Sequence, residues 1–414
     1  MSAAWTHLPT HRAWLDAELR RLLDFGSAVV HPEGGAAYLD ERGRPALDEP
    51  VHTWITARTV HVFGLGALLG VPGSADRARG ALAGLTGRLR DAEHGGWFHA
   101  VDATGTPDIA AGKSCYDHAF VVLAASTAAI AGLPGGRALL HEATTVLEER
   151  FWDEDAGRCV DRWDAGWAEL DGYRGLNANM HAVEAMLAAA DALGGDDAAR
   201  WRGRATRVAG FVVELAAAHD DRLPEHFDSG WVPELELNRD RPDDPFKPFG
   251  ATPGHGFEWA RLLVELAGAL GDGAPDGLVP AAVRLFDRAA EDAWATDGEP
   301  GLVYTTDWDG RPVVRDRMHW VAAEAVAAAD TLHRATGEPR FAAWYATWWD
   351  FVAEHLLDLR HGSWHHQLDP RNHTAGGVWP GKPDLYHAVQ ATLLPRAPLT
   401  PTLARAAADG LVVA

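Results

Sequence analysis

The chain has 414 residues, of which 47% are hydrophobic and 23% are charged, a balance typical of a globular protein with a sizeable core. Its formal net charge of −22 argues against nucleic acid and anionic membranes as partners, because both require a basic protein surface. The two cysteines, Cys115 and Cys159, imply no disulfide framework and fit the reducing cytoplasm. Neither a signal peptide nor an apolar stretch long enough to span a membrane is predicted.

Helical periodicity dominates the sequence, with apolar residues recurring at a spacing of about 3.6 residues. This pattern predicts twelve helices and a short further one near 400–409, the twelve covering residues 11–25, 53–71, 75–92, 114–132, 137–150, 174–194, 197–219, 255–271, 275–293, 317–336, 339–357 and 383–394. No comparable stretch alternates over the length of an ordinary β-strand. The chain is therefore expected to be all-α.

A short motif of aromatic, acidic and glycine residues returns between the predicted helices. Asp-Gly and Asp-x-x-Gly between aromatic or β-branched residues favour β-hairpins. The motif occurs six times, at 37–45, 95–105, 150–164, 226–234, 303–313 and 363–372. Successive copies lie about two helices apart, and such a period indicates a repeat architecture.

Six helical hairpins, none able to bury its apolar face alone, predict an (α/α)6 barrel of six inner and six outer helices with short β-hairpins between them. We expect residues 1–414 to form a single domain of this type. The alternative is a linear α-solenoid, whose terminal repeats should look like polar caps. The terminal repeats of this sequence do not, which favours the closed barrel.

Polar residues open or line each candidate inner helix, which is the helix that follows each hairpin. In a barrel these helices run parallel, so their N-terminal ends meet at one mouth. The residues concerned are Trp54, Arg58, Tyr116, Asp117, His118, Asn177, His181, His255, Glu258, His319, Trp320, Glu324, His387 and Gln390. Because buried polar groups need partners, a barrel axis filled with them predicts a cavity for a polar ligand.

A metal centre is the first alternative for these residues. His255 and Glu258 have a spacing compatible with metal binding, and His181 and His387 are candidates to complete the set. However, no His-Glu-x-x-His motif is present, the acidic residues do not cluster, and Arg58 would sit awkwardly beside a cation. The sequence therefore predicts no metal site.

The sequence evidence for two other kinds of site, a nucleotide site and a catalytic cysteine, is weaker still. Residues 376–382 match the spacing of a phosphate-binding loop, but Pro383 replaces the required Ser or Thr and no strand precedes the loop. Cys115 and Cys159 lack the neighbours that a catalytic nucleophile needs. Neither nucleotide binding nor covalent catalysis by cysteine is expected.

Six stretches of the chain together carry a specific resemblance: TWITARTVHVF, KSCYDHAFVVLA, YRGLNANMHAVEA, TPGHGFEWARLL, VRDRMHWVAAEA and GKPDLYHAVQATLL. Through them nearly the whole chain resembles the N-acylglucosamine 2-epimerase superfamily, and within it most of all the bacterial isomerases of D-mannose. The family fold is an (α/α)6 barrel, in agreement with the number of hairpins. The resemblance implies a sugar isomerase or epimerase without a cofactor.

The resemblance also assigns roles to individual residues. The family's arginine matches Arg58, its two catalytic histidines match His255 and His387, and its supporting residues match His181 and Glu258. The substrate-lining positions match Trp54, Tyr116, Asn177, Trp320 and Gln390. His387 is expected to move the C2 proton, His255 to open the sugar ring, and Glu258 to orient His255 or raise its pKa.

The expected reaction is the interconversion of D-mannose and D-fructose, with D-lyxose and D-xylulose as a further pair. A permanently charged Arg58 suits the oxyanion that develops when a proton leaves the carbon beside a carbonyl. Epimerases of N-acyl sugars tend to carry an arginine shortly after the last histidine, whereas residues 389–391 here are Val-Gln-Ala. A sugar 2-epimerase or a sulfoquinovose isomerase of the same superfamily is the alternative.

The polar segment 236–249 is too long for a simple connector and is predicted to form a lid over the barrel mouth. Its basic residues, Arg239, Arg241 and Lys247, are candidates to contact sugar hydroxyls or an anionic group. Outside the isomerases, the alternatives are an inverting glycoside hydrolase using Glu258 and Glu324, and a non-catalytic protein-binding factor. The expected partner is a monosaccharide, and the expected assembly is a monomer or a homodimer.

Overall fold

A computed structural model describes residues 4–378 and 380–413, and within them the chain is mostly helical. The helices are α1 (Pro9–Phe25), α2 (Thr53–Leu68), α3 (Ser74–Thr86), α4 (Cys115–Ile130), α5 (Gly136–Val146), α6 (Leu176–Leu193), α7 (Gly195–Ala218), α8 (Pro253–Leu270), α9 (Leu278–Ala293), α10 (His319–Thr336), α11 (Pro339–Phe351), α12 (Tyr386–Leu393) and the short α13 (Leu403–Ala408). The helices predicted from periodicity are all found at the expected places. In this part of the chain, no helix is long and apolar enough to cross a membrane.

The even-numbered helices form an inner ring. Each of α2, α4, α6, α8 and α10 contacts the next in that order, and α12 contacts both α10 and α2, which closes the ring. Each outer helix packs on an inner one, namely α3 on α2, α5 on α4, α7 on α6, α9 on α8, α11 on α10 and α1 on α12. The fold is therefore the predicted (α/α)6 barrel, and the closing contact rules out a linear solenoid.

The two rings differ in composition because they differ in burial. The inner helix α4 reads CYDHAFVVLAASTAAI, and nearly every one of its side chains is buried. The outer helix α9 reads LVPAAVRLFDRAAEDA, and its buried residues recur on one face only. A helix that is apolar all round belongs inside a protein, whereas an amphipathic helix belongs at its surface.

Short strands tie the entrance of each inner helix to its neighbour. They are β1 (Tyr38–Leu39), β2 (Pro45–Ala46), β3 (Val51–His52), β4 (Ala100–Val101), β5 (Lys113–Ser114), β6 (Trp152–Asp153), β7 (Arg158–Cys159), β8 (Arg162–Trp163), β9 (Arg174–Gly175), β10 (His226–Phe227), β11 (Arg317–Met318), β12 (Gln367–Leu368) and β13 (Thr374–Ala375). Antiparallel hairpins join β1 to β2, β6 to β7 and β12 to β13, and bridges at 101–107, 227–233 and 306–312 close the remaining predicted turns.

The residues immediately before an inner helix pair with the hairpin that follows the next outer helix. This holds for β3 with β4, β5 with β8, β9 with β10 and β11 with β12, and a bridge between Ala251 and Thr306 does the same before α8. The Lys382 N–H donates to the Leu39 carbonyl at 3.0 Å, which joins the last repeat to the first. The six inner N-termini are thus held at one end of the barrel.

Two of these junctions require glycine. Gly112 and Gly250 have positive φ angles of 67° and 89°. A Cβ atom at Gly112 would lie 2.2 Å from the Trp163 carbonyl oxygen, and one at Gly250 would lie 2.1 Å from that of Thr306. Only glycine allows the backbones to approach this closely.

Several predicted boundaries differ from the structure by three or more residues, and two of the differences have a clear local cause. Helix α3 ends at Thr86 rather than near 92, because Gly87 has a ψ of −109° that stops the helix. Helix α12 begins at Tyr386 rather than 383, because the Asp384 side chain accepts a hydrogen bond from the Tyr386 N–H just ahead of the first turn. Boundaries of this kind depend on local caps that periodicity does not show.

Candidate active site

A cavity of about 90 Å³ lies at the end of the barrel where the inner helices begin. Nine of the eleven residues predicted for the site line it: Trp54, Arg58, Tyr116, Asn177, His181, His255, Glu258, Trp320 and His387. All of them lie in the first two turns of an inner helix. The common direction of the inner helices therefore brings residues from all six inner helices to one place.

Arg58 lies buried in the wall of this cavity. Its guanidinium donates to Asp384 Oδ2 at 2.9 Å and to the Tyr116 hydroxyl at 3.0 Å. The guanidinium also lies 4.2 Å from the centre of the Phe120 ring. Burial acts to lower the pKa of Arg58, but Tyr116 and Asp384 outweigh it, and the pKa rises above its ordinary value. The site thus contains a fixed positive charge.

His387 is held by a carboxylate. Its Nδ1 lies 2.8 Å from Glu324 Oε1, and both side chains are buried. The other oxygen of Glu324 accepts a hydrogen bond from Arg261 Nε at 3.1 Å. Because a carboxylate accepts, Nδ1 of His387 carries the hydrogen, and in the neutral ring Nε2 carries the lone pair. His387 is thus arranged as a base toward the cavity.

His255 has a carboxylate partner too, but a different one from the sequence prediction. Its Nδ1 lies 2.8 Å from Glu225 Oε1, in the loop just before β10. Glu258, one helical turn from His255, makes no hydrogen bond to it. The prediction that Glu258 orients His255 is corrected by this geometry, because the Glu258 carboxylate lies near His181 of the preceding inner helix and near Arg261 instead.

A single indole connects the two histidines. The ring centre of Trp320 lies 5.2 Å from that of His255 and 5.8 Å from that of His387. Tyr304 packs edge-on against the same indole at 6.1 Å. The two imidazoles therefore flank one aromatic surface, of the kind on which a sugar ring can pack.

Glu258 and His181 form a second buried pair in the cavity wall. Glu258 Oε1 lies 3.6 Å from His181 Nδ1 and 3.6 Å from a terminal nitrogen of Arg261, beyond hydrogen-bond distance. Burial, with a contribution from Glu324, raises the pKa of Glu258 well above its ordinary value. Burial lowers the pKa of His181 to about 4. Burial therefore keeps His181 neutral near neutral pH, and it favours the protonated form of Glu258, which can donate a hydrogen bond.

The acidic residues around this pair cluster more closely than the sequence suggested. Potential ligand atoms lie within 4.8 Å of one another in two groups, one of His181, Glu184 and Glu258 and one of Glu258, Glu324 and His387. The expectation that no such cluster exists was wrong, because four inner helices contribute to it. The Arg261 guanidinium lies among these carboxylates and supplies the positive charge there. The independence from metal stays a prediction.

Two predicted substrate-binding residues do not reach the cavity. Gln390 lies one turn deeper than His387 on α12, and its Nε2 donates to Glu184 Oε1 at 2.9 Å. It lines a separate small cavity that the segment 394–404 closes at the other end of the barrel. Arg239 is 69% exposed and pairs with Glu236 on the surface of the loop. The structure brings neither residue together with the other nine.

The loop 236–249 covers the cavity with apolar rather than basic residues. Pro245, Phe246 and Pro248 line the cavity. The carbonyl of Pro248 accepts a hydrogen bond from His226 Nε2 at 2.8 Å, which fixes this part of the loop. Lys247 points away and lies 3.5 Å from the centre of the Tyr173 ring. The loop has the position of the predicted lid.

Several residues of the site were not predicted from the sequence. They are the carboxylates Glu225 and Asp384 and the cavity-lining Tyr304, Phe246 and His366. Asp384 lies three residues before His387 in GKPDLYH, and Glu225 lies beside His226 in a predicted hairpin. Their positions beside segments already predicted to be functional could have indicated them. Their hydrogen-bond partners could not have been predicted, because they lie far away along the chain.

The glycine-rich segment 376–382 is not a phosphate-binding loop. The Lys382 amine is buried and donates to Asp358 Oδ2 at 2.6 Å and to the Gly362 carbonyl at 2.9 Å. Lys113 makes the equivalent contacts with Asp91 and the Gly95 carbonyl, both at 2.7 Å. These lysines brace the hairpins of two repeats. Trp379 lies outside the described residues.

Comparison with known proteins agrees with the fold and with this set of side chains. The profile of the N-acylglucosamine 2-epimerase (GlcNAc 2-epimerase) family matches residues 34–391. The chain belongs to this family. It is 52% identical to a D-mannose isomerase of Thermobifida fusca, over 98% of each chain.

Two solved structures of the family superimpose closely on the barrel. The crystal structure of a D-mannose isomerase has 29% sequence identity, a TM-score of 0.84, and coverage of 92% of this chain and 96% of its own. A cellobiose 2-epimerase from Spirochaeta thermophila has 25% identity and a TM-score of 0.81, over 93% and 96% of the two chains. Isomerases and epimerases of sugars thus share this architecture.

Proposed function

We propose that the protein is an aldose–ketose isomerase that interconverts D-mannose and D-fructose by proton transfer, without a cofactor. The 52% identity to a D-mannose isomerase over nearly both whole chains supports the substrate. The arrangement that carries the chemistry is a pair of carboxylate-held histidines, His255 and His387, that both pack against Trp320. Arg58 adds a fixed positive charge to the same cavity.

The first step is opening of the sugar ring. His255 takes part through Nε2, because Glu225 engages its Nδ1. A histidine is suited to this step since its acid and base forms both exist near neutral pH. A proton is removed from the O1 hydroxyl and a proton is delivered to the ring oxygen, which gives the open-chain aldehyde.

The second step is removal of the C2 proton by His387. The electrons of the C2–H bond form a C1–C2 double bond, and the aldehyde oxygen becomes an oxyanion. Arg58 stabilises this enediolate, because a preorganised charge in a water-poor site costs no reorganisation. A proton then moves from O2 to O1, C2 becomes the ketone carbon, and His387 returns its proton to C1.

Glu324 keeps His387 in the form that this cycle needs. It accepts from Nδ1 and so leaves Nε2 as the base, and its negative charge stabilises the imidazolium that forms. Arg261 holds the second oxygen of Glu324, so the carboxylate cannot rotate away. We propose that Glu258 and His181, which both line the cavity, bind sugar hydroxyls.

Epimerisation at C2 is the second candidate, and one observation favours it. His255 packs against the same indole as His387 and has its own carboxylate, so a second histidine is available to return a proton to the opposite face of C2. The same enediolate serves both reactions. The identity to a D-mannose isomerase makes isomerisation the better supported of the two.

The hydrolase alternative fits the geometry poorly. An oxygen of Glu258 and one of Glu324 lie within 4.8 Å of each other. An inverting glycoside hydrolase separates its carboxyl groups by roughly 6.5–9.5 Å to admit a water molecule. Glu324 is also committed to His387 and Arg261.

A panel of sugars tests the proposal. The purified protein is incubated separately with D-mannose, D-lyxose, D-glucose, N-acetyl-D-mannosamine and cellobiose, and kcat/KM is measured for each. We expect the highest value for D-mannose, a lower one for D-lyxose, and little turnover of the N-acetylated sugar. Preference for N-acetyl-D-mannosamine or for cellobiose would contradict the proposed function.

A further inference from the structure

Two histidines in the cavity wall have no part in the proton transfers above. His319 is the first residue of α10, and His366 immediately precedes β12. Their rings are stacked, with centres 3.9 Å apart and planes inclined by only 13°. Both line the cavity, and their exposed fractions are 5% and 6%. They form a rigid pair beside the reacting residues.

The hydrogen bonds of this pair define what it offers to a ligand. Nδ1 of His319 lies 3.2 Å from the backbone carbonyl of His366, which only accepts, so Nδ1 carries the hydrogen. His366 in turn hydrogen bonds with the backbone of Asp384. The Nε2 atom of each ring is buried and lacks a hydrogen-bond partner in the described parts of the chain.

Both rings are neutral at physiological pH. Burial lowers the pKa of His366 to about 4 and that of His319 well below its ordinary value. His366 also lowers the pKa of His319, because two charged imidazoles in contact would repel. Nearby His387 disfavours a positive charge on both rings, whereas Asp384 favours one. A neutral ring with hydrogen on Nδ1 presents a lone pair at Nε2, so each of the two stacked rings offers one acceptor.

Two buried acceptors without donors are unusual, since nearly all buried polar side-chain atoms in proteins find a partner. The terminal nitrogens of Arg58 donate to Asp384 and Tyr116, and no hydrogen bond joins Arg58 to either histidine among the described residues. A sugar can supply the missing donors, because its neighbouring carbons carry hydroxyl groups that donate hydrogen bonds. The arrangement thus matches a vicinal diol.

We propose that His319 and His366 accept hydrogen bonds from two neighbouring hydroxyls of the sugar that take no part in the reaction, and that they make the enzyme selective for sugars in which both are free. This inference rests on the proposed function and adds a specificity-determining pair to it. The hydroxyls lie beyond C2, because C1 and C2 belong to the histidines that transfer protons and to Arg58.

The test combines deoxy sugars with variants of His366. His366→Phe keeps an aromatic ring against His319 but removes the acceptor, and His366→Gln keeps an acceptor. The substrates are D-mannose and its 3-deoxy, 4-deoxy and 6-deoxy derivatives, and the measurement is kcat and KM for each pair. Thermal unfolding of each variant verifies that it is folded.

In the wild-type protein, loss of a contacted hydroxyl should lower kcat/KM at least about tenfold. In His366→Phe the same deoxy sugar should cost less than about threefold, because the interaction is already absent. That variant should lose about tenfold on D-mannose itself, chiefly through KM, and His366→Gln should recover most of the loss.

Equal penalties in the wild type and in His366→Phe for all three deoxy sugars would overturn the inference. The same comparison with His319→Gln and His319→Leu provides a second test if His366→Phe does not fold. Turnover of D-mannose without such coupling would contradict only the role of this pair. Absence of D-mannose turnover in the wild type would overturn the proposed function and this inference with it.

Discussion

Glu324 holds His387 through a 2.8 Å contact between its Oε1 and the histidine Nδ1, although the two residues lie 63 positions apart in the chain. The contact decides which ring nitrogen faces the sugar. It also places a negative charge where the ring becomes positive in the reaction. The mechanism proposed above depends on this pair more than on any other.

Replacing His387 by alanine should abolish isomerisation while leaving the fold intact. A general base contributes typically about 10²–10⁴-fold to the rate, and the proposed mechanism gives His255 a different step, the opening of the ring. The measurement is kcat/KM for D-mannose, with His373→Ala as the control, since His373 is 74% exposed. If His387→Ala keeps half of the wild-type rate, His387 is a structural residue.

The two glutamates should affect different steps. Glu324→Gln removes the charge and the fixed tautomer from the base, and the comparable change in a serine protease costs about 10⁴-fold. Glu225→Gln impairs ring opening instead. With D-mannose deuterated at C2, the isotope effect on kcat should therefore rise in Glu324→Gln and shrink toward unity in Glu225→Gln. Equal isotope effects in both variants would contradict the assignment of the histidines.

Arg58 should contribute to stability as well as to catalysis. Arg58→Ala leaves the buried Asp384 carboxylate without its partner, and breaking a buried ion pair in this way costs about 3–5 kcal/mol. The paired replacement Arg58→Met with Asp384→Leu should regain most of the unfolding free energy but no activity. Chemical denaturation and the mannose assay measure the two effects. An Arg58→Ala protein as stable as the wild type would refute the prediction.

Much of this site was open to prediction from the sequence. The inner helices are predicted by their apolar periodicity. Their first turns carry polar residues that are unusual in a hydrophobic core, such as Asn177 and His181. Once the barrel closes, those turns must meet. This reasoning placed nine of the eleven predicted residues in the wall of one cavity.

The remaining assignments failed for geometric reasons. Gln390 follows His387 by three residues, but this spacing also moves a side chain nearly one turn along the helix, which places Gln390 in the cavity below. Glu225 contacts His255 from a loop, across 30 residues of sequence. Arg239 belongs to a loop whose path is set by contacts such as that of His226 with Pro248. Pairings of this kind require the tertiary structure.

Stability should fall as the pH drops from about 6.5 to about 4. Burial lowers the pKa of His118 to about 4, and its geometry agrees, because Nε2 accepts from the Trp97 N–H at 3.1 Å. A lowered folded-state pKa means that the unfolded chain binds the proton first. The stabilisation is therefore complete above pH 6.5 and is lost on acidification through this window. Burial also lowers the pKa values of three other histidines to about 4, so they contribute to the loss of stability in the same way: His61, His181 and His366.

The check on this acid sensitivity is the slope of unfolding free energy against pH, compared between the wild type and His118→Gln. The variant is expected to be less stable at pH 7 but to show a shallower slope between pH 6.5 and 4. An unchanged slope would mean that His118 takes up a proton in the folded protein.

The first product formed from D-mannose tests the central claim most directly. D-Mannose labelled with ¹³C at C2 is incubated with the protein, and the label is followed by NMR from the earliest time points. The account predicts that the C2 signal of D-fructose appears first and that any D-glucose follows later. D-Glucose as the first product, or no turnover of D-mannose at all, would contradict it.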